Sequence, residues 1–185
     1  MHKHIQTLEY YVPEDLCQRI VAIGTNRPLL PGLCNNKKLD PEQRSSMITF
    51  FTEGDSETKW IFDLVWKAIE NHPLRAKVKK LKFIQFAEYG SEYGGCFKKH
   101  RDTEIFYHAS NVSKDIRILT CVVSLADPLL YDGGEMALYD EDGEEIKFRC
   151  GRGCALLFPS DMPHEVKKVT RGTRYSISCW FEGPR

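Results

Sequence analysis

A mainly β fold with N-terminal helices, closed as a double-stranded β-helix or jelly roll, is what three observations predict for this chain. From residue 81 onward, short runs rich in β-branched and aromatic residues alternate with Asp-Gly and Gly-Gly turns, a texture of sandwiches and barrels rather than of parallel α/β sheets. The first 80 residues carry helical periodicity instead. Finally, His164 and Arg174 make chemical sense together only if the chain between them crosses from one sheet to a facing one, as argued below.

The elements follow in order. Residues 13–24 open with Pro13, Glu14 and Asp15, place Leu16, Ile20 and Ile23 at helical spacing and close on Gly24, the start and stop signals of a helix. Residues 28–46 have no apolar period and are long for a connector, so they read either as a mobile segment covering a site or as a surface excursion. Residues 56–70 put Trp60, Ile61, Leu64, Val65, Ala68 and Ile69 on one stripe, a second helix whose tryptophan packs into a core. Both helices are expected on the outside of a sheet. The basic run 77–82 reads as a solvated face. Strands are expected at 81–88, 116–125, 134–139, 145–149, 154–158, 164–169 and 174–181. The segment 103–115, with Phe106, Tyr107 and His108, should form part of a cavity mouth, and 127–134 turns a hairpin through Gly133-Gly134, whose backbone permits positive φ.

Length and composition fit one domain over 1–185, with 1–80 as helical support and loop and 81–185 as the jelly-roll core. A chain of 185 residues that is 42% apolar and 28% charged can bury a substantial core. The formal net charge is zero, so no excess of Lys and Arg argues for nucleic acid or an anionic membrane as partner. No apolar stretch is long enough to span a bilayer, and the N-terminal residues lack the apolar core of a secretion signal. Seven cysteines, with Cys17, Cys121, Cys154 and Cys179 inside apolar runs, fit free buried thiols in a reducing cytoplasm. Cys150 and Cys154 lack a second pair at finger spacing, which sets a zinc site aside. Oligomeric state is not legible.

The chemistry concentrates in His100-Arg101-Asp102 with His164 and Arg174 downstream. Two imidazoles and a carboxylate can occupy one face of an octahedral metal and leave three positions open, the arrangement of non-haem Fe(II) oxygenases. In an extended segment, side chains at i and i+2 project to one side, so His100 and Asp102 can approach one ion together while Arg101 points away. Guanidinium grips carboxylates with two parallel hydrogen bonds and stays charged in a partly dry pocket, which suits Arg174 to an anionic ligand. If Arg171-Gly172 closed a simple hairpin, Arg174 would lie roughly 16 Å from the histidine along the ladder. A crossing between facing sheets brings both to one cavity.

With these residues in view, the segment 89–181 resembles the 2-oxoglutarate and Fe(II)-dependent dioxygenases, in the prolyl-4-hydroxylase-like branch that includes hypoxia-type prolyl hydroxylases and bacterial PKHD-type hydroxylases. The resemblance rests on Tyr89-Gly90, Phe97 through Asp102, Arg117 through Leu125, Asp132 through Glu135, Pro163 through Val166 and Thr173 through Trp180. It implies that His100, Asp102 and His164 hold Fe(II), that O2 and 2-oxoglutarate are cosubstrates, and that the far carboxylate of 2-oxoglutarate meets Arg174. Tyr89 and Ser178 are implied as further cosubstrate contacts, and ascorbate as a supporting reductant. With the triad filled, His108 is not a ligand. A carboxylate at 102 fills the position that related halogenases leave to chloride, so hydroxylation is implied. Ser124 departs from hypoxia-type enzymes, which carry a tyrosine there, and the arginine stands one residue further from the histidine, as in PKHD-type proteins.

Trp180, Val166 and Leu157 are expected as apolar walls. A peptide or protein substrate, prolyl first, suits the long 28–46 segment and the aromatic mouth; a free amino acid or small metabolite, enclosed near Phe97 and Trp180, is the enzymatic alternative. A non-catalytic cupin-like metal-binding module is a third reading, since a fold does not dictate function, but such a module needs no guanidinium on its cavity wall.

Overall fold

The computed structural model describes residues 4–34, 39–103, 115–148 and 150–184. Its larger sheet has seven strands in the order β1 (Gln6–Leu8), β11 (Ala155–Pro159), β7 (Asp115–Ser124), β14 (Thr173–Pro184), β5 (Lys80–Gly90), β4 (Met47–Thr52) and β2 (Leu30–Pro31). A five-stranded sheet runs β10 (Glu145–Lys147), β9 (Met136–Tyr139), β12 (His164–Val166), β6 (Cys96–His100) and β3 (Arg44–Ser45), and β13 (Val169–Arg171) pairs with β8 (Asp132–Gly133). All pairings are antiparallel. This is the expected jelly roll with helices packed outside it.

Alternation along the strands sorts the large sheet into two faces. Leu119, Cys121 and Val123 of β7, with Ile177, Cys179 and Phe181 of β14, join Ile84 and Phe86 of β5 in one apolar cluster. Helices α1 (Glu14–Thr25) and α2 (Lys59–Ala68) cover that cluster, contributing Cys17, Ile20 and Ile23 from the first and Ile61, Phe62 and Val65 from the second. On the other face, Thr120 and Val122 of β7 and Arg174, Ser176, Ser178 and Trp180 of β14 line a cavity instead.

Several expectations shift by a residue or more. The first third, read as helical, also contributes β1 to β4; β1 to β3 are two or three residues long, too short for any period to announce them, while the six-residue β4 was missed. The second helix starts at Lys59 rather than Ser56, and its buried stripe runs through Ile61, Phe62, Val65 and Ala68 while Trp60 and Leu64 are half-buried. Leu157, expected on the cavity wall, belongs to the helix-side cluster; strand parity sends its neighbours Leu156 and Phe158 to the inner side, against Val122 and Leu138. The basic run is ion-paired, with Lys79 and Lys80 on Asp115, and Lys80 and Lys82 on Glu182. The seven cysteines are free. Gly133 and Gly134 turn with φ of 73° and 69°. Among the described residues no helix is long and apolar enough to cross a membrane.

Gly24, read as a helix terminator, lies inside α1 and is buried. A β-carbon there would stand 2.6 Å from the Phe86 ring, so the residue sets how closely the helix approaches the sheet. Helix propensity alone would make Gly24→Ala stabilising by about 1 kcal/mol, whereas overpacking a tight core costs about 1–3 kcal/mol. Because Phe86 is fully buried, overpacking should win, and urea unfolding should show a net loss of up to about 2 kcal/mol.

Candidate metal centre

His100 ends β6 and His164 begins β12, and the two are cross-strand partners in the smaller sheet. Asp102 lies just past the end of β6, so the extended-segment expectation holds for His100 only. Its backbone N–H instead donates to the Ser160 carbonyl at 2.9 Å, turning the carboxylate towards both histidines. His100 Nε2 is 3.7 Å from Asp102 Oδ1 and His164 Nε2 is 3.5 Å from Oδ2. Ligand atoms from the three residues all lie within 4.8 Å of one another. Among the described residues they form the one group of His, Cys, Asp or Glu that could hold a metal ion; Cys150 and Cys154 join no such group.

Hydrogen bonds set the tautomers. His100 Nδ1 lies 2.8 Å from the Lys98 carbonyl and His164 Nδ1 lies 2.9 Å from the Met162 carbonyl. A carbonyl only accepts, so each Nδ1 carries the proton and each Nε2 keeps its lone pair for a metal. Phe97 stacks on the His100 ring at 3.6 Å and Phe158 meets His164 edge-on at 4.8 Å, fixing both planes. Burial first, and then the neighbouring His164, push the His100 pKa down to about 3, so its imidazole is neutral. Burial pushes Asp102 the other way, but His164, His100, Arg117 and the Thr120 hydroxyl outweigh it and hold the carboxyl below the usual range. The Thr120 hydroxyl donates to Asp102 Oδ2 at 2.7 Å. With that proton committed, Ser160 Oγ donates to Thr120 Oγ at 2.9 Å. Two nitrogen lone pairs and one carboxylate, oriented before any ion arrives, match the donor set of a ferrous facial triad.

The opposite wall belongs to the large sheet. Arg174, 3% exposed, sits opposite Tyr89 in the β14–β5 register, its guanidinium 5.4 Å from the tyrosine ring. Arg174 Nη1 donates to Ser176 Oγ at 3.0 Å. Triad and arginine thus face each other from different sheets across one cavity of about 270 Å³, as the crossing argument requires. Tyr89, Ser178, Trp180, Val166 and Phe97 also line it. Ser124 lies behind Arg174, in a second cavity that the arginine also lines.

Of the cavity residues that sequence reasoning missed, four bear directly on the charge and hydrogen bonding of the site. Ser176 and Thr120 carried a detectable signal, since both keep strand parity with residues already singled out. Arg117 did not. It stands three residues from Thr120, yet a register shift between the pairs Phe181–Leu119 and Glu182–Arg117 returns it to the cavity face. There it lies 4.0 Å from the Trp180 ring, and burial pulls its pKa down to about 10 against the opposing pull of Asp102 and Glu182. Arg44 is the fourth. Of the 28–46 segment, Leu33, Cys34 and Arg44 reach the cavity; residues 35–38 lie outside the described residues, as do Phe106, Tyr107 and His108 of the expected mouth.

Comparison with known proteins places this geometry in context. The family described as the 2OG-Fe(II) oxygenase superfamily matches residues 84–182. A PKHD-type hydroxylase of Aliarcobacter butzleri is 30% identical over 134 residues, which cover 70% of this chain and 58% of that protein. The chain therefore spans less than two thirds of that relative. The crystal structure of a Pseudomonas putida prolyl-4-hydroxylase superposes with a TM-score of 0.75 at 22% identity, covering 98% of this chain and 93% of that one. A prolyl hydroxylase from Trichoplax adhaerens, in complex with a hypoxia inducible factor oxygen degradation domain peptide fragment, gives 0.74 at 18% identity, covering 97% and 84%. At such identities the likeness speaks to the fold.

The electrostatics of His100 carry a measurable consequence. Its pKa is about 3 when folded against 6.5 ordinarily, so between these values the unfolded chain binds more protons than the folded one. Stability of the metal-free protein should therefore be complete above about pH 6.5 and fall as the pH drops, by up to about 1.4 kcal/mol per pH unit from this residue. Urea unfolding with chelator at about pH 7 and pH 5 measures the slope, and His100→Gln should flatten it.

Proposed function

This chain belongs to the 2OG-Fe(II) oxygenase superfamily, and we propose that it hydroxylates a prolyl residue of a peptide or protein, with His100, Asp102 and His164 holding Fe(II). The observation that carries the reading is the placement of a buried guanidinium opposite the two-histidine, one-carboxylate cluster in one cavity. A metal-binding module has no use for that arginine, whereas a dicarboxylate bridging metal and guanidinium needs both. Similarity to PKHD-type hydroxylases supports hydroxylation. The peptide held by the similarly folded Trichoplax protein supports an extended ligand.

When bound, Fe(II) with 2-oxoglutarate and O2 supplies oxidative decarboxylation to succinate and places one oxygen atom on an unactivated C–H. The residues do the rest. His100 and His164 present Nε2 lone pairs because their Nδ1 protons are held by Lys98 and Met162 carbonyls. Asp102 supplies the anionic ligand, and Thr120, backed by Ser160, keeps it aimed. Arg174 binds the far carboxylate of 2-oxoglutarate, with Tyr89 and Ser178 as neighbouring hydroxyls, while Ser176 holds one arm of the guanidinium in place. Phe97, Val166 and Trp180 keep water from the reacting centre.

Two sets of variants test the assignment. His100→Ala, Asp102→Ala and His164→Ala should each abolish iron binding and turnover while circular dichroism reports a folded protein, because the ligands sit on an already packed scaffold. Thr120→Val should weaken Mn(II) affinity about 10- to 100-fold, the usual effect of removing a partner that orients a ligand. Full iron occupancy in two of the three alanine variants would refute the triad.

Arg174→Lys keeps the charge but loses the fork, so anaerobic titration with Mn(II) should show 2-oxoglutarate affinity falling by about 1.5–3 kcal/mol. Arg174→Leu should lose more, and unchanged affinity there would move the carboxylate site elsewhere. Turnover is read as succinate release and a 16-dalton gain across a prolyl-peptide and amino-acid library, with ascorbate present to keep iron ferrous.

A further inference from the structure

Among the described residues, one guanidinium on the cavity wall has no carboxylate partner. Arg44 is 6% exposed and lies in β3, paired with Phe97 of β6. Its Nε donates to Ser46 Oγ at 2.9 Å and its Nη1 to the Leu33 carbonyl at 3.1 Å. Nη2 is buried and has no hydrogen-bond partner among the described residues. Both partners that it does have are neutral, and a buried cation without an anion is costly. The backbone is shaped around it: a β-carbon on Gly32 would come within 2.5 Å of Arg44 Nε and of Ser46 Oγ.

Charge accounting across the cavity points the same way. Among the described residues that line the cavity, the one carboxylate is Asp102; it is engaged by Thr120 and the two imidazoles and makes no ion pair with Arg44. Fe(II) and the 2-oxoglutarate dianion cancel each other, so the binding of both brings no net negative charge to offset Arg44. Position adds the last constraint. The Arg44 guanidinium lies 4.5 Å from the Phe97 ring, and Phe97 stacks on His100. A single aromatic ring therefore separates Arg44 from a proposed metal ligand, which puts its free N–H within reach of a group on the same molecule as the reacting carbon.

We propose that Arg44 is the specificity-determining residue of this cavity and that the substrate presents a carboxylate to it. The carboxylate sits on an acidic side chain beside the hydroxylated residue, or is the free carboxylate of a C-terminal residue or small acid. A peptide carbonyl would satisfy one N–H but leave the charge unbalanced, whereas a carboxylate does both. The inference rests on the hydroxylase reading and names the chemistry its substrate must carry.

The experiment measures binding of matched probes to the protein loaded with Mn(II) and 2-oxoglutarate under anaerobic conditions. The probes are prolyl tripeptides with Glu or Gln beside the proline, the same peptides with a C-terminal acid or amide, and L-proline against L-prolinamide. In wild type the acid of at least one pair should bind about tenfold tighter than its amide, the scale of one charge-assisted contact. The pair that shows the preference identifies the source of the carboxylate. Arg44→Met should bring the acid-to-amide ratio close to one, Arg44→Lys should keep part of it, and Gly32→Ala, which displaces the guanidinium without removing it, should lower it. A ratio near one for every pair in wild type overturns the proposal, and so does a wild-type preference that survives Arg44→Met. Parallel assays with Fe(II) separate the two readings: acid preference without oxygen gain on proline refutes prolyl hydroxylation alone, and equal hydroxylation of acids and amides refutes the role of Arg44 alone.

Discussion

The strict alternation of side chains along a strand is the constraint on which the rest of this structure depends. In β7 and β14 one parity must be greasy, because α1 and α2 press on it, and the other must be polar, because it lines a cavity. Twelve residues of β14 carry both jobs at once. Ile177, Cys179 and Phe181 anchor the strand to the helices, and that anchoring is what holds Arg174, Ser176 and Ser178 in place on the reverse side. The binding wall is rigid because its back is a hydrophobic core, where interior packing leaves side chains little freedom.

The smaller sheet solves a different problem. It must keep an anionic carboxylate and two imidazoles within a few ångströms of one another in a dry site, where an unsatisfied polar atom is expensive. Backbone carbonyls two residues before each histidine take the Nδ1 protons, and the Ser160–Thr120–Asp102 relay reaches across from the larger sheet to satisfy the carboxylate. The two sheets are thus joined at the site by hydrogen bonds as well as by apolar contact. A centre supported this way is organised by the protein rather than by the ion.

Much of this was legible in the sequence. His100, Asp102, His164 and Arg174 could be assembled on paper because each side chain has a narrow chemical repertoire, and because the awkward distance between His164 and Arg174 forced a crossing between sheets. What escaped notice did so for geometric reasons. Strands of two or three residues, such as β2 and β3, are too short to display a period, so Arg44 looked like part of a loop. Arg117 was hidden by a register shift that no residue type announces. Leu157 was assigned to the wrong face because its neighbours are also apolar: in the run Ala155-Leu156-Leu157-Phe158 both parities are greasy, and only the packed sheet distinguishes helix side from inner side. Asp102 occupies the expected place by a different route, turned by a backbone contact rather than carried by an extended strand.

The position of β14 has a consequence for how the molecule comes to exist. It pairs with β5 along one edge and β7 along the other, and both of those strands precede it by many dozens of residues. The centre of the large sheet therefore closes only through contacts distant in sequence, the kind that slow the search for the native state because loop entropy is lost before any pairing offsets it. Until β14 inserts, β5 and β7 each present an unpaired apolar edge, an open template for another chain. The strand that carries Arg174 is also the one that seals the molecule against its own aggregation.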